Sequence, residues 1–502
     1  MDAIKGQRVL VLGSGVSGTA MAKWCIRCGA TVSLLDTRSQ HPGLKKIAEA
    51  LPELKLVPHT PGTKLELSGF DRIYKSPGLS PDKTLELFDL SKDGVPIRGE
   101  IDLFVEALCW LKQVGEYSPQ VLGVTGTNGK TTVTALTGHL LRGCGVAVAV
   151  AGNIGPGLME GLMQCLDADA LPEVWVLELS SFQLHDGSGL NPDAATVLNI
   201  SQDHLDWHPD WDHYVASKAR IFGPTTRRIL NRDDPVTRKM GDPPSAGKSS
   251  PSREVSTFGA SLPISPGDYG LEEAQGMVWL VRRLEADGSK KRRNQSEEEA
   301  PLQRLMPLDA LHIRGRHNAL NAQAALLLAA SVGSPMAKLL HALSSYKGEP
   351  HRVELVKVVG EVEYFDDSKG TNVGATAAAL QGLGADKRLV VIMGGDGKGQ
   401  DFEPLSAPVS AYARAVILIG RDASKIEQAI RSTPAVIERC TTLEQAVSSA
   451  AMAARPGDVV LLSPACASFD MFRDYEHRAE VFRAAVARLE ADDSASQVAG
   501  KS

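Results

Sequence analysis

Val121-Leu122-Gly123-Val124-Thr125-Gly126-Thr127-Asn128-Gly129-Lys130-Thr131-Thr132 joins an apolar run to a glycine-rich turn and then to a helical pattern that lasts to Leu141. A glycine turn between strand and helix aims several backbone N–H groups at one point, where the helix dipole adds positive potential. Lys130 supplies a cation for the β and γ phosphates of a nucleoside triphosphate, and the Thr131 hydroxyl is placed to hold magnesium. The strict P-loop spacing is not met, because position 124, glycine in that pattern, is Val124.

The rest of the chain sorts itself around this segment. Strand-like runs at 174–179 and 195–200 predict a parallel sheet with helical crossovers. Upstream, residues 8–12, the turn Gly13-Ser14-Gly15-Val16-Ser17-Gly18 and residues 31–36 form a βαβ pattern with G-x-G-x-x-G spacing. That motif points to a nucleotide without saying which, and Asp36 is placed to accept from a ribose hydroxyl. A third α/β pattern starts near Pro350, with strands at 389–393, 415–420 and 459–462.

The expected fold class is therefore α/β in three domains. Residues 1–112 form a Rossmann-like domain, 113–349 a central P-loop-type parallel-sheet ATPase domain, and 350–491 a C-terminal Rossmann-like domain, with a flexible tail at 492–502. Polar stretches near 243–256 and 285–300 read as surface insertions; the second carries Lys290-Lys291-Arg292-Arg293 and Glu297-Glu298-Glu299.

Bulk properties exclude several classes. With 43% hydrophobic and 23% charged residues, the chain of 502 falls among globular proteins. A net charge of -6 gives no positive field for nucleic acid. The N-terminus lacks a basic segment with a long apolar run, and no stretch approaches the ~20 apolar residues of a membrane helix, which places the chain in the cytoplasm. Seven scattered cysteines fit reduced thiols. Cys25-Ile26-Arg27-Cys28 has half a zinc spacing, but no second pair follows, so it reads as two small apolar residues on a helix.

Two further groups sit just beyond strands. Glu178 falls at the C-terminal edge of the sheet, as a magnesium ligand, a helix N-cap or a loop residue. The run Ser201-Gln202-Asp203-His204-Leu205-Asp206-Trp207-His208 packs four ionisable side chains together, to hold a cation, to position phosphate, or as a hydrogen-bonded loop.

Taken together, Gly126-Thr-Asn-Gly-Lys-Thr-Thr132, Glu178-Leu-Ser-Ser-Phe-Gln183, Asn199-Ile-Ser-Gln-Asp-His204, Lys218, Gly315-Arg-His-Asn318 with Asn321, and His351-Arg352 resemble the Mur ligase family in order and rough spacing. The resemblance covers nearly the whole chain outside the polar stretches and the tail. Asp366-Asp-Ser-Lys-Gly-Thr-Asn372, Gly394-Gly-Asp-Gly-Lys398 and Ser463-Pro-Ala-Cys-Ala-Ser468-Phe-Asp470 are similar to the branch that adds D-glutamate to UDP-N-acetylmuramoyl-L-alanine.

The resemblance implies roles. Thr127, Asn128, Gly129, Lys130, Thr131, Thr132 and Val133 would cradle the phosphates of ATP, with Asn321, Arg352 and Asp367 around its adenine, ribose and phosphates. Thr131, Glu178, His204 and Lys218 would serve two magnesium ions, Lys218 after carbamylation by CO2, and Lys130, Glu178, His204 and Lys218 would carry catalysis. Val16, Ser17, Asp36, Arg38, Ser76, Pro77, Gly78 and Asn153 would hold the UDP-linked substrate, and Lys369, Thr371, Lys398, Ser468 and Tyr475 the D-glutamate. It also implies a monomer that closes its domains around an acyl-phosphate intermediate. The rival from another class, an NAD(P)-dependent oxidoreductase built on residues 13–18 and Asp36, leaves residues 126–132 unexplained. A nucleotide-regulated binding module leaves the ionisable groups at the strand ends unexplained.

Overall fold

The computed structural model describes residues 4–38, 43–60, 62, 64, 69–87, 95–204, 207–241, 254–285, 300–385 and 387–499. Three α/β units follow one another, each built on its own sheet.

The first contains β1 (Arg8–Leu12), β2 (Thr31–Leu35), β3 (Lys55–Val57), β4 (Arg72–Lys75) and β5 (Ile97–Arg98), all parallel, in the order β3-β2-β1-β4-β5. The chain leaves β1 toward β2 and returns to β4 on the other side, so a crevice opens between the ends of β1 and β4. The glycine turn follows β1 and Ser76-Pro77-Gly78 follows β4. A Cβ at Gly13 would lie 2.9 Å from Ser76 Cβ, and one at Gly18 would strike the Gly13 carbonyl, so this turn needs glycine at both positions.

The second unit holds β6 (Gln120–Thr125), β7 (Val148–Gly152), β8 (Val174–Glu178), β9 (Ala194–Val197), β10 (Arg227–Asn231) and β11 (Val255–Phe258), parallel, in the order β11-β10-β9-β6-β8-β7. Strands β8 and β9 flank β6, which puts the loops after all three at one edge. An antiparallel sheet of β12 (Tyr269–Ala274), β13 (Met277–Arg283) and β14 (Leu302–Pro307) is appended.

The polar stretches fit the sequence expectation only in part. Val255 and Ser256, assigned to the first one, belong to β11, where Ser256 is buried against its neighbours. Residues 242–253 and 286–299 lie outside the described residues. At the mouth of the second stretch the chain is pinned, since Leu284 N donates to Pro301 O at 2.9 Å and Arg283 Nη1 to Ala300 O at 2.8 Å.

The third unit has β15 (Glu354–Val359), β16 (Val362–Asp366), β17 (Leu389–Gly394), β18 (Ala413–Ile419), β19 (Val436–Arg439) and β20 (Val459–Leu462), ordered β15-β16-β20-β17-β18-β19. It is mixed, because β15 runs antiparallel to β16 as a hairpin on the edge. The closing helix Tyr475–Ala499 continues through residues 492–499, which the sequence reading gave to a flexible tail; residues 500–502 lie outside the described ones. Among the described residues no helix is long and apolar enough to cross a membrane.

Packing joins these units unequally. One continuous apolar cluster runs from Val9, Val11 and Trp24 through Phe104 to Trp175, Leu177 and Tyr214, with Phe104 edge-on to Trp175 at 5.3 Å. Cys25 and Cys28 are buried in this cluster. Apolar area removed from water contributes ~25 cal/mol per Å², so a shared core fixes the first two units to each other. The third keeps its own clusters on the two faces of its sheet. Polar contacts and the helix Val373–Gly384 bring it against the second unit.

Candidate active site

The loop after β6 is shaped by residues across the sheet edge. Gly126 and Gly129 take φ of +151° and +83°, and Gly129 caps the helix Lys130–Gly143. Asn199, just past β9, accepts from Asn128 N through Oδ1 at 2.8 Å and donates to Asn128 O at 3.1 Å. Thr127 Oγ1 meets Tyr214 OH at 2.8 Å and accepts from Ser201 N at 2.9 Å. The loop is thus held from behind, with its N–H face toward a cavity of about 730 Å³ between the second and third units.

Lys130 Nζ donates to its own loop, to Gly126 O at 2.9 Å and Thr127 O at 2.8 Å. Burial lowers its pKa below the ordinary lysine value, against the pull of Glu178 and Asp203. Glu178, at the end of β8 and 1% exposed, accepts from Asn153 Nδ2 at 2.7 Å through Oε1. Its other oxygen, Oε2, is buried without a hydrogen-bond partner. A buried carboxylate oxygen without a partner costs free energy unless a cation or donor meets it, so this site fits a divalent ion. His204 lies on the same cavity wall with φ +55°, its ring edge-on to Phe182 at 4.7 Å and its Nε2 3.5 Å from Asp203.

Lys218 sits behind that wall, a helix lysine turned inward rather than toward solvent. Only 2% exposed, it donates to Gly126 O at 2.8 Å and lies 4.9 Å from the Tyr214 ring centroid. Burial first, and then the charge of Lys130, push its amine well below the usual lysine range.

The third unit supplies the opposite wall. Arg352 Nη2 donates to Thr131 Oγ1 at 2.5 Å, and Asn372 Nδ2 to Asn128 Oδ1 at 3.1 Å. Burial pushes the Asp367 carboxyl up to about 7, although Ser463 Oγ donates to it at 2.7 Å and Arg352 favours its charge. Lys369 Nζ stands 3.8 Å over the Tyr475 ring, a cation–π contact. Arg478, wholly buried, ties the loop after β16 to that after β20 by donating to Ser368 O at 2.8 Å and Cys466 O at 3.2 Å. His351, Glu354 and Asp366 also cluster, but Arg483 donates to both carboxylates and His351 Nδ1 lies 2.8 Å from Asp366, which makes them an ion network.

The expected residues divide into three places. The cavity brings together Thr127, Asn128, Gly129, Lys130, Thr131, Thr132, Glu178, His204, Asn321, Arg352 and Asp367 with Lys369, Thr371 and Tyr475. It also takes in Asn153, grouped from the sequence with the UDP side. Val133 is buried in the apolar core beneath the loop, and Lys218 stands behind it. Lys398 is exposed and Ser468 buried on adjoining loops, joined where Asp396 and Ala467 exchange backbone bonds; neither lines the cavity.

Val16, Ser17, Asp36, Arg38, Ser76, Pro77 and Gly78 gather at the crevice of the first sheet. There Ser14 N donates to Asp36 at 2.8 Å and Arg38 adds a bidentate pair at 3.0 and 2.9 Å. Burial alone would raise the Asp36 carboxyl, but these bonds hold it well below the usual carboxylate range. The sequence reading missed Asn199 and Tyr214 as loop supports. An asparagine one step past a strand was a usable signal; a tyrosine on an amphipathic helix reads only as core.

Three family comparisons cover the same ground. The chain matches the Mur ligase MurD-like N-terminal domain over residues 7–99, the Mur ligase middle domain over 124–329 and the Mur ligase glutamate ligase domain over 351–466. The chain belongs to the Mur ligase family. A UDP-N-acetylmuramoylalanine--D-glutamate ligase of Albidiferax ferrireducens is 54% identical over 97% of both chains. One of Cupriavidus pinatubonensis is 52% identical over 96% of this chain and 97% of its own. Among solved structures, the MurF ligase from Thermotoga maritima in complex with ADP aligns with TM-score 0.57 at 19% identity, covering 96% of each chain. UDP-N-acetylmuramate-alanine ligase MurC from the same organism gives 0.53 at 19%, covering 97% and 100%. For a Mur ligase the glycine turn of residues 13–18 belongs to the MurD-like N-terminal domain, so the oxidoreductase reading is not supported.

Proposed function

We propose that this Mur ligase joins D-glutamate to the alanyl carboxylate of UDP-N-acetylmuramoyl-L-alanine, converting ATP to ADP and phosphate, as a step of peptidoglycan precursor synthesis. The observation that carries this reading is the convergence on one cavity of the Lys130 loop, the partnerless oxygen of Glu178 and the cation Lys369.

A carboxylate is a poor electrophile and must be activated before an amine can displace its oxygen. The alanyl carboxylate attacks the γ-phosphorus of ATP and ADP leaves; the amine of D-glutamate then attacks the acyl phosphate and phosphate departs with the acyl oxygen. Lys130 and the N–H groups of residues 127–132 bind the phosphates and neutralise charge that grows in transfer, the terms that dominate phosphoryl chemistry. Glu178, His204 and Thr131 would hold magnesium, with carbamylated Lys218 at a second ion, and the metal would supply further charge neutralisation. Asn321 from the second unit and Arg352 and Asp367 from the third orient the nucleotide. Lys369 and Thr371 offer from the cavity wall a cation and a hydroxyl that an anionic amino acid needs, with Lys398 and Ser468 on adjoining loops outside it, and Tyr475 packs against Lys369.

The UDP moiety lies in the crevice of residues 13–18, Asp36, Arg38 and 76–78, with the alanyl end reaching Asn153. In this reading the enzyme works as a monomer, in the cytoplasm where ATP and nucleotide-linked precursors meet. Incubation with ATP, magnesium, the precursor and D-glutamate tests this: phosphate and the amide product appear in equal amounts, and phosphate without amide overturns the reading.

A further inference from the structure

Lys75, the last residue of β4, is 3% exposed. Its ammonium makes three contacts, and together they join the two substrate regions. Nζ donates to Leu79 O at 2.6 Å, closing the chain on itself around Ser76-Pro77-Gly78. Nζ also pairs with Asp186 Oδ2 at 2.7 Å, and it stands 5.6 Å from the centroid of the Trp207 ring. Asp186 ends the six-residue helix Ser181–Asp186 that starts three residues after Glu178, and Trp207 N donates to His204 O at 3.1 Å. One cation in the first unit therefore touches both segments of the second unit that carry the magnesium-side residues Glu178 and His204.

We propose that the Lys75–Asp186 pair is a positioning contact that holds the Ser76-Pro77-Gly78 loop in register with the Glu178 end of the central sheet, and so sets the affinity for the UDP-linked substrate. This rests on the reading that the first unit binds the uridine nucleotide. Stability alone does not account for the pair. Burial pushes the Asp186 carboxyl up to about 6 even beside Lys75, and buried ion pairs are commonly matched or bettered by apolar pairs of similar volume. What the ion pair adds is a charge–charge tie at one defined point of the seam. The shared apolar core holds the two units together, and this 2.7 Å contact between charges adds a link at the end of β4, where the Ser76-Pro77-Gly78 loop begins. Asp186 is further fixed by its backbone neighbourhood, since a Cβ on Gly99 would come within 3.0 Å of Asp186 Cβ.

The test uses the full-length enzyme carrying Lys75→Met, Asp186→Asn or both, with steady-state kinetics for each substrate and calorimetric titration of UDP. Asp186→Asn is nearly isosteric, and thermal melts check that it folds. Each single variant is expected to raise KM for UDP-N-acetylmuramoyl-L-alanine and Kd for UDP by about tenfold, with the KM for ATP within about threefold of the parent, and the double variant to resemble the singles. Unchanged precursor KM, or precursor and ATP KM rising together, overturns the positioning role while normal UDP binding by the parent keeps the functional reading. A parent enzyme that binds no UDP overturns both.

Discussion

Lys130 and Lys218 donate to the same carbonyl oxygen, that of Gly126, at 2.9 and 2.8 Å. Two ammonium groups held on one acceptor repel each other, and both lie where water is scarce. The deeper one gives way: burial and then the charge of Lys130 drive Lys218 toward the neutral amine. Only a neutral amine attacks CO2, so the proposed carbamylation of Lys218 draws on the charge of its neighbour.

Enzyme stripped of CO2 is therefore expected to lose most of its activity and to recover it on addition of bicarbonate. Labelled bicarbonate should give a carbamate carbon signal that Lys218→Ala lacks. Full activity without CO2 would show that the unmodified amine suffices.

Lys130→Ala removes the cation proposed to face the transferred phosphoryl group. Loss of one preorganised charge of this kind costs about 3 kcal/mol, so phosphate release should fall roughly 100-fold or more. Among the described residues the hydrogen bonds of Lys130 go to carbonyls of its own loop, so the melting temperature should move little. Turnover within threefold of the parent contradicts the phosphate role.

Glu178→Gln keeps a group able to accept from Asn153 while discarding the charge of the partnerless oxygen. The magnesium concentration for half-maximal phosphate release should rise at least about tenfold, a differential of ~1.4 kcal/mol. An unchanged magnesium titration would place the ion elsewhere.

His208 gives a pH dependence of stability. It is 2% exposed, its Nε2 lies 2.9 Å from Ser181 Oγ, and burial followed by the charges of His185 and His204 lowers its pKa from 6.5 to about 4. The unfolded chain binds this proton more readily than the folded one, so the contribution is present above pH 6.5 and is lost as pH falls toward 4. His208→Phe should flatten the stability curve in that window by up to ~1.4 kcal/mol per pH unit, measured by denaturant unfolding.

Local signals in the chain reach the strands and the loops after them. Residues 121–132 disclose strand, turn and helix because each residue there serves its own backbone, and Glu178 is visible as an acid closing an apolar run. Contacts between units are not visible in this way. Nothing in the vicinity of Arg352 says that it meets Thr131, and nothing near Lys75 says that it meets Asp186. Lys218 looks like a surface lysine until the fold buries it. The antiparallel β12–β14 sheet was hidden for another reason: polar stretches that read as surface insertions flank it, and the run between them received no strand assignment.

Following the carboxyl oxygen probes the phosphoryl transfer itself. With UDP-N-acetylmuramoyl-L-alanine carrying 18O in its alanyl carboxylate, turnover with ATP and D-glutamate should deliver one labelled oxygen into each phosphate released, read by mass spectrometry. Phosphate free of label would mean that the carboxylate never took the γ-phosphoryl group, and that the loop of residues 126–132 serves some other chemistry.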